Sequence, residues 1–155
     1  MEEVIIDARD EQILRLLQQD ARIPNNRLAE LVALSPPACH RRVRALEEAG
    51  VIRQYTAVLD AVKLGRGLTM FVEVKLANQN KQAVDAFERE VLAFAEVSEC
   101  HLIAGEFDYL LRVVVADHNA YQRFLWDRLT VTPGVANVRS LLSMRTVKDM
   151  PGVTI

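Results

Sequence analysis

The chain has 155 residues, 50 % of them hydrophobic and 26 % charged, with a formal net charge of −2; that length holds one ordinary domain or two small ones, and the composition is that of a folded globular protein. No window approaches the roughly 18 apolar residues that a membrane helix needs, and Met-Glu-Glu at the start is unlike a secretory signal, so no membrane partner and a cytoplasmic location are expected. Cys39 and Cys100 stand far apart with no Cys or His at ligand spacing, so no disulfide framework, metal or other cofactor is expected and both read as buried thiols; the slightly acidic total leaves room for a local basic patch.

From Asp7 a cap, an acidic first turn and Ile13, Leu14 and Leu17 on one face predict a first helix. Residues 20–24 read as a loop. Asn25 or Asn26 can cap a short second helix with Leu28, Leu31 and Val32 at i, i+3, i+4. A third helix follows after about three residues, with Ser35 as its cap, Pro37 as its first residue and Gly50 as its stop. At 100° per residue Cys39, Val43 and Leu46 fall on one side of it, and Pro37, Arg41, Arg44 and Glu48 on the other; His40 flanks the outer face and Arg42 the inner. Alone, this segment is an amphipathic helix with solvated arginines. Placed after two short helices it becomes the second half of a helix-turn-helix.

Residues 51–60 are rich in β-branched and aromatic side chains and predict an extended wing carrying Arg53. Gly65 and Gly67 mark a hinge. The domain limits expected are therefore 1–60 for the helical unit, 61–67 for a linker and 68–155 for a second unit.

In that second unit residues 68–76 alternate, with Leu68, Met70, Val72, Val74 and Leu76 on one face and Thr69, Phe71, Glu73 and Lys75 on the other. Asn78 or Asn80 starts a helix with Val84, Phe87, Val91 and Phe94 on one stripe. Residues 97–104 and 107–116 read as strands joined by a tight Gly105-Glu106 hairpin. Asp117 or Asn119 caps a helix bearing Tyr121, Phe124, Leu125 and Leu129, which Pro133-Gly134 stops, and 135–147 read as a long last strand. The expected class is α+β, a winged helix-turn-helix followed by a ferredoxin-like βαββαβ domain. With both helices on one face, Phe71 and apolar hairpin positions are left on the other, and a homodimer through that face is expected.

Several segments then stand in the order found in one family. Asp7-x-x-Asp10-x-x-Ile13-Leu14, Asp20-Ala-Arg-Ile, Leu28-Ala-Glu-Leu, Leu34-Ser-Pro, Cys39-x-x-Arg42-Val43-x-x-Leu46-Glu47-x-x-Gly50-Val-Ile and Gly105-Glu-Phe-Asp-Tyr-Leu-Leu111 together resemble the leucine-responsive regulatory protein/AsnC family of bacterial and archaeal transcription regulators. The resemblance implies a winged helix-turn-helix for double-stranded DNA and a βαββαβ domain that senses small molecules, often amino acids. It also implies assembly of dimers into rings, commonly octamers of four dimers. In relatives the effector lies between dimers, which places Leu102, Ala104, Gly105, Glu106, Phe107, Asp108, Leu141, Leu142 and Ser143 near its pocket. Two departures stand out. Many members have glycine where this chain has Ala33, and the loop more often reads Gly-Asp than Gly105-Glu106.

For DNA, the candidate contacts are Ser35, Pro37, Ala38, His40, Arg41, Arg42, Arg44 and Arg53; Arg41 and Arg44 project from the first half of the helix, while Arg42 suits an acid or a phosphate. For an amino-acid effector, Asp108 can accept from the ammonium and backbone N–H groups near Gly105 can hold the carboxylate. Leu102, Leu141 and Leu142 suit a side chain such as that of leucine, another branched-chain acid or methionine. No enzyme is expected: Ser98 and His101 lie three positions apart on one strand and face opposite ways. The alternative function is an architectural, nucleoid-associated DNA-binding protein without effector response.

Overall fold

The computed structural model describes residues 5–149, 152 and 153, which fall into two compact units, one covering residues up to Val58 together with the end of the chain, the other Leu59–Asp149. The division comes two residues earlier than the expected limit at 60. Val153, expected in the second unit, groups with the first, where its carbonyl accepts a hydrogen bond from Gln18 Nε2.

The first unit contains α1 (Ala8–Gln19), α2 (Asn25–Leu31) and α3 (Pro36–Glu48). Asp7 caps α1 as its sequence demands: Oδ1 accepts from the N–H groups of Arg9 and Asp10, both at 2.9 Å, and Asp10 returns a bond to the Asp7 N–H at 3.3 Å. The core is Ile13, Leu14, Leu28, Ala29, Val32, Cys39 and Leu46. Three local expectations are corrected. Asn25 is the first residue of α2 rather than its cap, and its Nδ2 donates to the Pro36 carbonyl. Leu31 is exposed, because Ala29 takes the inward place. In α3, Pro36 itself opens the helix; Ser35 has the extended backbone of a cap, but its side chain makes no capping bond.

The segment expected as an extended wing has no strand pairing. No residue of 51–60 is assigned to a strand. An extended segment becomes a strand only when a neighbour pairs with it, and this segment has none among the described residues. Tyr55 instead donates its hydroxyl to Glu47 at 2.8 Å, and burial together with that carboxylate pushes its phenol up to about 12.

The second unit runs β1 (Leu68–Leu76), α4 (Lys81–Leu92), β2 (Val97–Leu102), β3 (Tyr109–Val115), α5 (His118–Phe124) and β4 (Val135–Leu142). One antiparallel sheet has the order β2-β3-β1-β4, the ferredoxin-like arrangement. Its inner face buries Met70, Val72, Val74 and Leu76 of β1 and Tyr109, Leu111, Val113 and Val115 of β3 against Phe87, Val91, Phe94, Tyr121, Phe124 and Leu129. Asn80 caps α4 and Asp117 caps α5, each accepting from the N–H three residues on. A π-helical turn over Leu125–Leu129 extends α5, a feature that a 3.6-residue period does not signal.

β4 is shorter than expected. Ser143 N–H still reaches the Thr69 carbonyl at 3.1 Å, but β1 begins at Leu68, so residues 144–147 have no strand beside them. Cys100 is exposed on the edge strand β2, whereas Cys39 is buried as expected. The outer face of the sheet mixes apolar Phe71, Leu110, Val114 and Leu141 with the ion pairs Arg112–Glu99 and Arg139–Glu73, so it is less uniformly apolar than the alternation suggested.

Candidate functional site

The turn between α2 and α3 is held from several directions. Leu34 N–H donates to the Ala29 carbonyl at 2.9 Å, and Arg9 Nη1 reaches the Val32 carbonyl at 2.8 Å. Ala33 has φ 53°, the left-handed conformation that favours glycine. Arg9, from outside the helix-turn-helix, is a structural participant that sequence spacing did not single out.

On α3 the cationic groups divide by function. Arg42 Nη1 lies 2.7 Å from Asp7 and 2.8 Å from Asp10, so its charge is spent joining α3 to the start of α1. The Asp10 N–H first, and Arg42 after it, hold the Asp7 carboxyl below its ordinary range. Pro37, His40, Arg41 and Arg44 are exposed, and the two arginines have no ion-pair partner among the described residues. Ala38 is half-buried and Ser35 exposed at the start of the helix, and Arg53 is exposed beyond it. The outer surface of α3 thus presents two free guanidinium groups on the side opposite Cys39 and Leu46.

The expected effector residues form two groups. Residues 103–108 make one loop, longer than the two-residue hairpin expected, since Leu102 pairs with Tyr109 and everything between is connection. The physical reason is Asp108. Its backbone N–H donates to Val74, Oδ2 accepts from Leu76 N–H at 2.7 Å, and Oδ1 accepts from Gln79 Nε2 at 2.6 Å. A carboxylate 8 % exposed and bonded in this way braces the loop, with both of its oxygens accepting from protein donors. Phe107 is buried beside it, whereas Leu102, Ala104, Gly105 and Glu106 are exposed.

Leu141, Leu142 and Ser143 lie at and just past the end of β4. Leu141 opposes Phe71 and Leu142 opposes Met70, at the start of β1, whereas the loop is anchored at Val74 and Leu76 near its end. The loop nevertheless reaches back over the sheet: Phe107 packs under the Arg139 guanidinium, 4.7 Å from the ring centroid, and Arg139 stands two residues before Leu141 on the same outer face. Leu141 and Leu142 moreover point to opposite faces of the sheet. Phe107 thus lies beside the stretch of β4 that leads to Leu141, whereas Leu142, on the opposite face, does not share that surface. Ser98 and His101 likewise do not meet: Ser98 donates to the Arg112 carbonyl, and His101 stands beside Glu99.

Comparison with known proteins matches both units. A winged helix-turn-helix DNA-binding model covers residues 6–53, and an Lrp/AsnC ligand-binding domain model covers residues 69–153. The leucine-responsive regulatory protein of Rhizobium meliloti is 45 % identical over 98 % of this chain and 97 % of its own length; that of Escherichia coli is 43 % identical over 93 % and 88 %. A transcriptional regulator from Neisseria meningitidis, solved as a complex with L-Met, superimposes with a TM-score of 0.92 at 36 % identity and 97 % coverage of both chains. A feast or famine regulatory protein from M. tuberculosis, complexed with L-methionine, gives 0.84 at 30 % identity over 96 % of this chain and 99 % of that one. With these likenesses spanning both the helix-turn-helix and the βαββαβ unit, the chain belongs to the Lrp/AsnC family of DNA-binding transcription regulators.

Proposed function

We propose that this regulator binds double-stranded DNA sequence-specifically as a homodimer through the outer face of α3, and that an amino acid controls its DNA binding or its assembly. The observation that carries the reading is the division of labour on α3: Arg42 is neutralised by Asp7 and Asp10, while Arg41 and Arg44 remain exposed and unpaired among the described residues. Guanidinium groups free to leave water are the ones that meet phosphates and guanine edges. Two such helices about 34 Å apart fit successive major grooves and an imperfect palindrome.

Phe71, Leu110, Val114 and Leu141 on the outer sheet face support dimerisation there. The exposure of Ala104, Gly105, Glu106 and Leu141 in one chain supports an effector site completed by a second copy, as in a ring of four dimers. L-methionine bound to relatives from N. meningitidis and M. tuberculosis supports methionine, with leucine and other branched-chain acids as candidates of similar shape. A regulator of cytoplasmic genes acts in the cytoplasm, and no described helix is long and apolar enough to cross a membrane.

The test is footprinting on the DNA upstream of its own gene, with and without each amino acid. A protected, roughly palindromic site whose occupancy changes with methionine or leucine is expected. Equal affinity for random DNA at physiological salt, with no amino acid having an effect, would identify an architectural DNA-binding protein instead.

A further inference from the structure

The loop 103–108 is clamped at both ends and open in the middle. Ile103 N–H donates to the Asp108 carbonyl at 2.8 Å and Asp108 N–H to Val74 at 3.0 Å, while the N–H groups of Ala104, Gly105, Glu106 and Phe107 have no acceptor among the described residues. The carbonyl between the last two is occupied: Lys75 Nζ donates to Glu106 O at 2.6 Å. In a trans peptide the C=O and the following N–H point in opposite directions. A carbonyl held towards Lys75 therefore aims the Phe107 N–H away from it. The Phe107 ring is fixed in turn by Arg139, whose guanidinium sits 4.7 Å from the ring centroid and pairs with Glu73.

We propose that Lys75, with Arg139 holding the Phe107 ring, is a positioning residue of the effector site, setting the Glu106–Phe107 peptide so that the Phe107 N–H is presented to the effector's carboxylate. The inference rests on the reading that this loop receives an amino acid. Both side chains stand on strands rather than on the loop, so the amide is oriented before the ligand arrives, and little ordering remains for binding to offset. A ligand that lacks the carboxylate gains nothing from this arrangement, so Lys75 also sets specificity for the free acid over its amide.

The experiment is calorimetric titration of the full chain with L-methionine, L-leucine and L-methioninamide, for wild type, Lys75→Met and Lys75→Arg. Lys75→Met keeps the aliphatic stem and loses the donor; Lys75→Arg restores one. For the free acids about tenfold weaker binding is expected in Lys75→Met, equivalent to about 1.4 kcal/mol, with recovery in Lys75→Arg. The preference for L-methionine over its amide should fall in parallel. Wild-type affinity in Lys75→Met, an equal loss in Lys75→Arg, or an equal loss for the amide overturns the positioning role. Failure of the wild type to bind any of the amino acids would overturn the effector reading itself, and that result is distinct from normal binding by Lys75→Met.

Discussion

Arg42 on α3 and Asp7 ahead of α1 meet at 2.7 Å, and the same Asp7 carboxylate caps α1 through the N–H groups of Arg9 and Asp10. One short side chain thus starts a helix and docks another onto it. Asp10, with its second bond to Arg42 at 2.8 Å, makes the contact a three-residue network rather than an isolated surface pair.

Arg42→Met should therefore destabilise the helical unit by about 1 kcal/mol, at the upper end for partly exposed pairs because two carboxylates share the guanidinium. Asp7 also gives this contact a pH signature. Its folded-state pKa is depressed from 3.8, so its contribution is present above the unfolded value and disappears as pH falls through the lower folded value. Thermal melts of wild type and Asp7→Asn should differ at pH 7 and converge on acidification below about pH 4. A difference that is the same at both ends would show that the carboxylate charge is irrelevant.

Ala33 occupies a left-handed backbone position that alanine disfavours. Replacing it with glycine should raise stability by about 1 kcal/mol, since the strain relieved exceeds the extra freedom glycine gives the unfolded chain. Denaturant titration checks this, the expected sign being an increased midpoint with an unchanged slope.

Asp108 braces loop 103–108 through Leu76 N–H and Gln79. Asp108→Ala strips the Leu76 amide of its acceptor at a buried position and should cost about 1–3 kcal/mol, with faster amide exchange at Leu76 and across 103–108. Asp108→Asn keeps an acceptor oxygen and should lose less. Equal loss in both variants would assign the effect to charge rather than to hydrogen bonding.

Much of this architecture was legible in the sequence because it follows from period and caps. The alternation of 68–76 placed β1 to the residue, Asp7 marked the start of α1, and of the two caps open for each later helix, Asn78 or Asn80 and Asp117 or Asn119, the structure uses Asn80 and Asp117. What escaped was set by partners that no local pattern names. The 51–60 segment has strand composition but no neighbouring strand, β4 ends where β1 begins, and Asp108 turned inward lengthens a connection that Gly105-Glu106 suggested was short. At the site, the helical wheel correctly put Arg41 and Arg44 outside, and Arg42 was already marked for an acid or a phosphate. The identity of that acid depended on how α1 packs on α3. Lys75, Gln79 and Arg139 remained invisible as loop supports because they reach it across strands, where sequence separation carries no signal.

If α3 delivers Arg41 and Arg44 to DNA, operator affinity across a salt series for wild type and the Arg41→Ala/Arg44→Ala double variant measures it most directly. Each phosphate contact removed should flatten the dependence of log affinity on log salt by about 0.9, so the double variant should bind more weakly and with a slope shallower by up to about two per chain. Wild-type affinity with an unchanged salt slope would contradict the assignment of α3 as the DNA-reading helix.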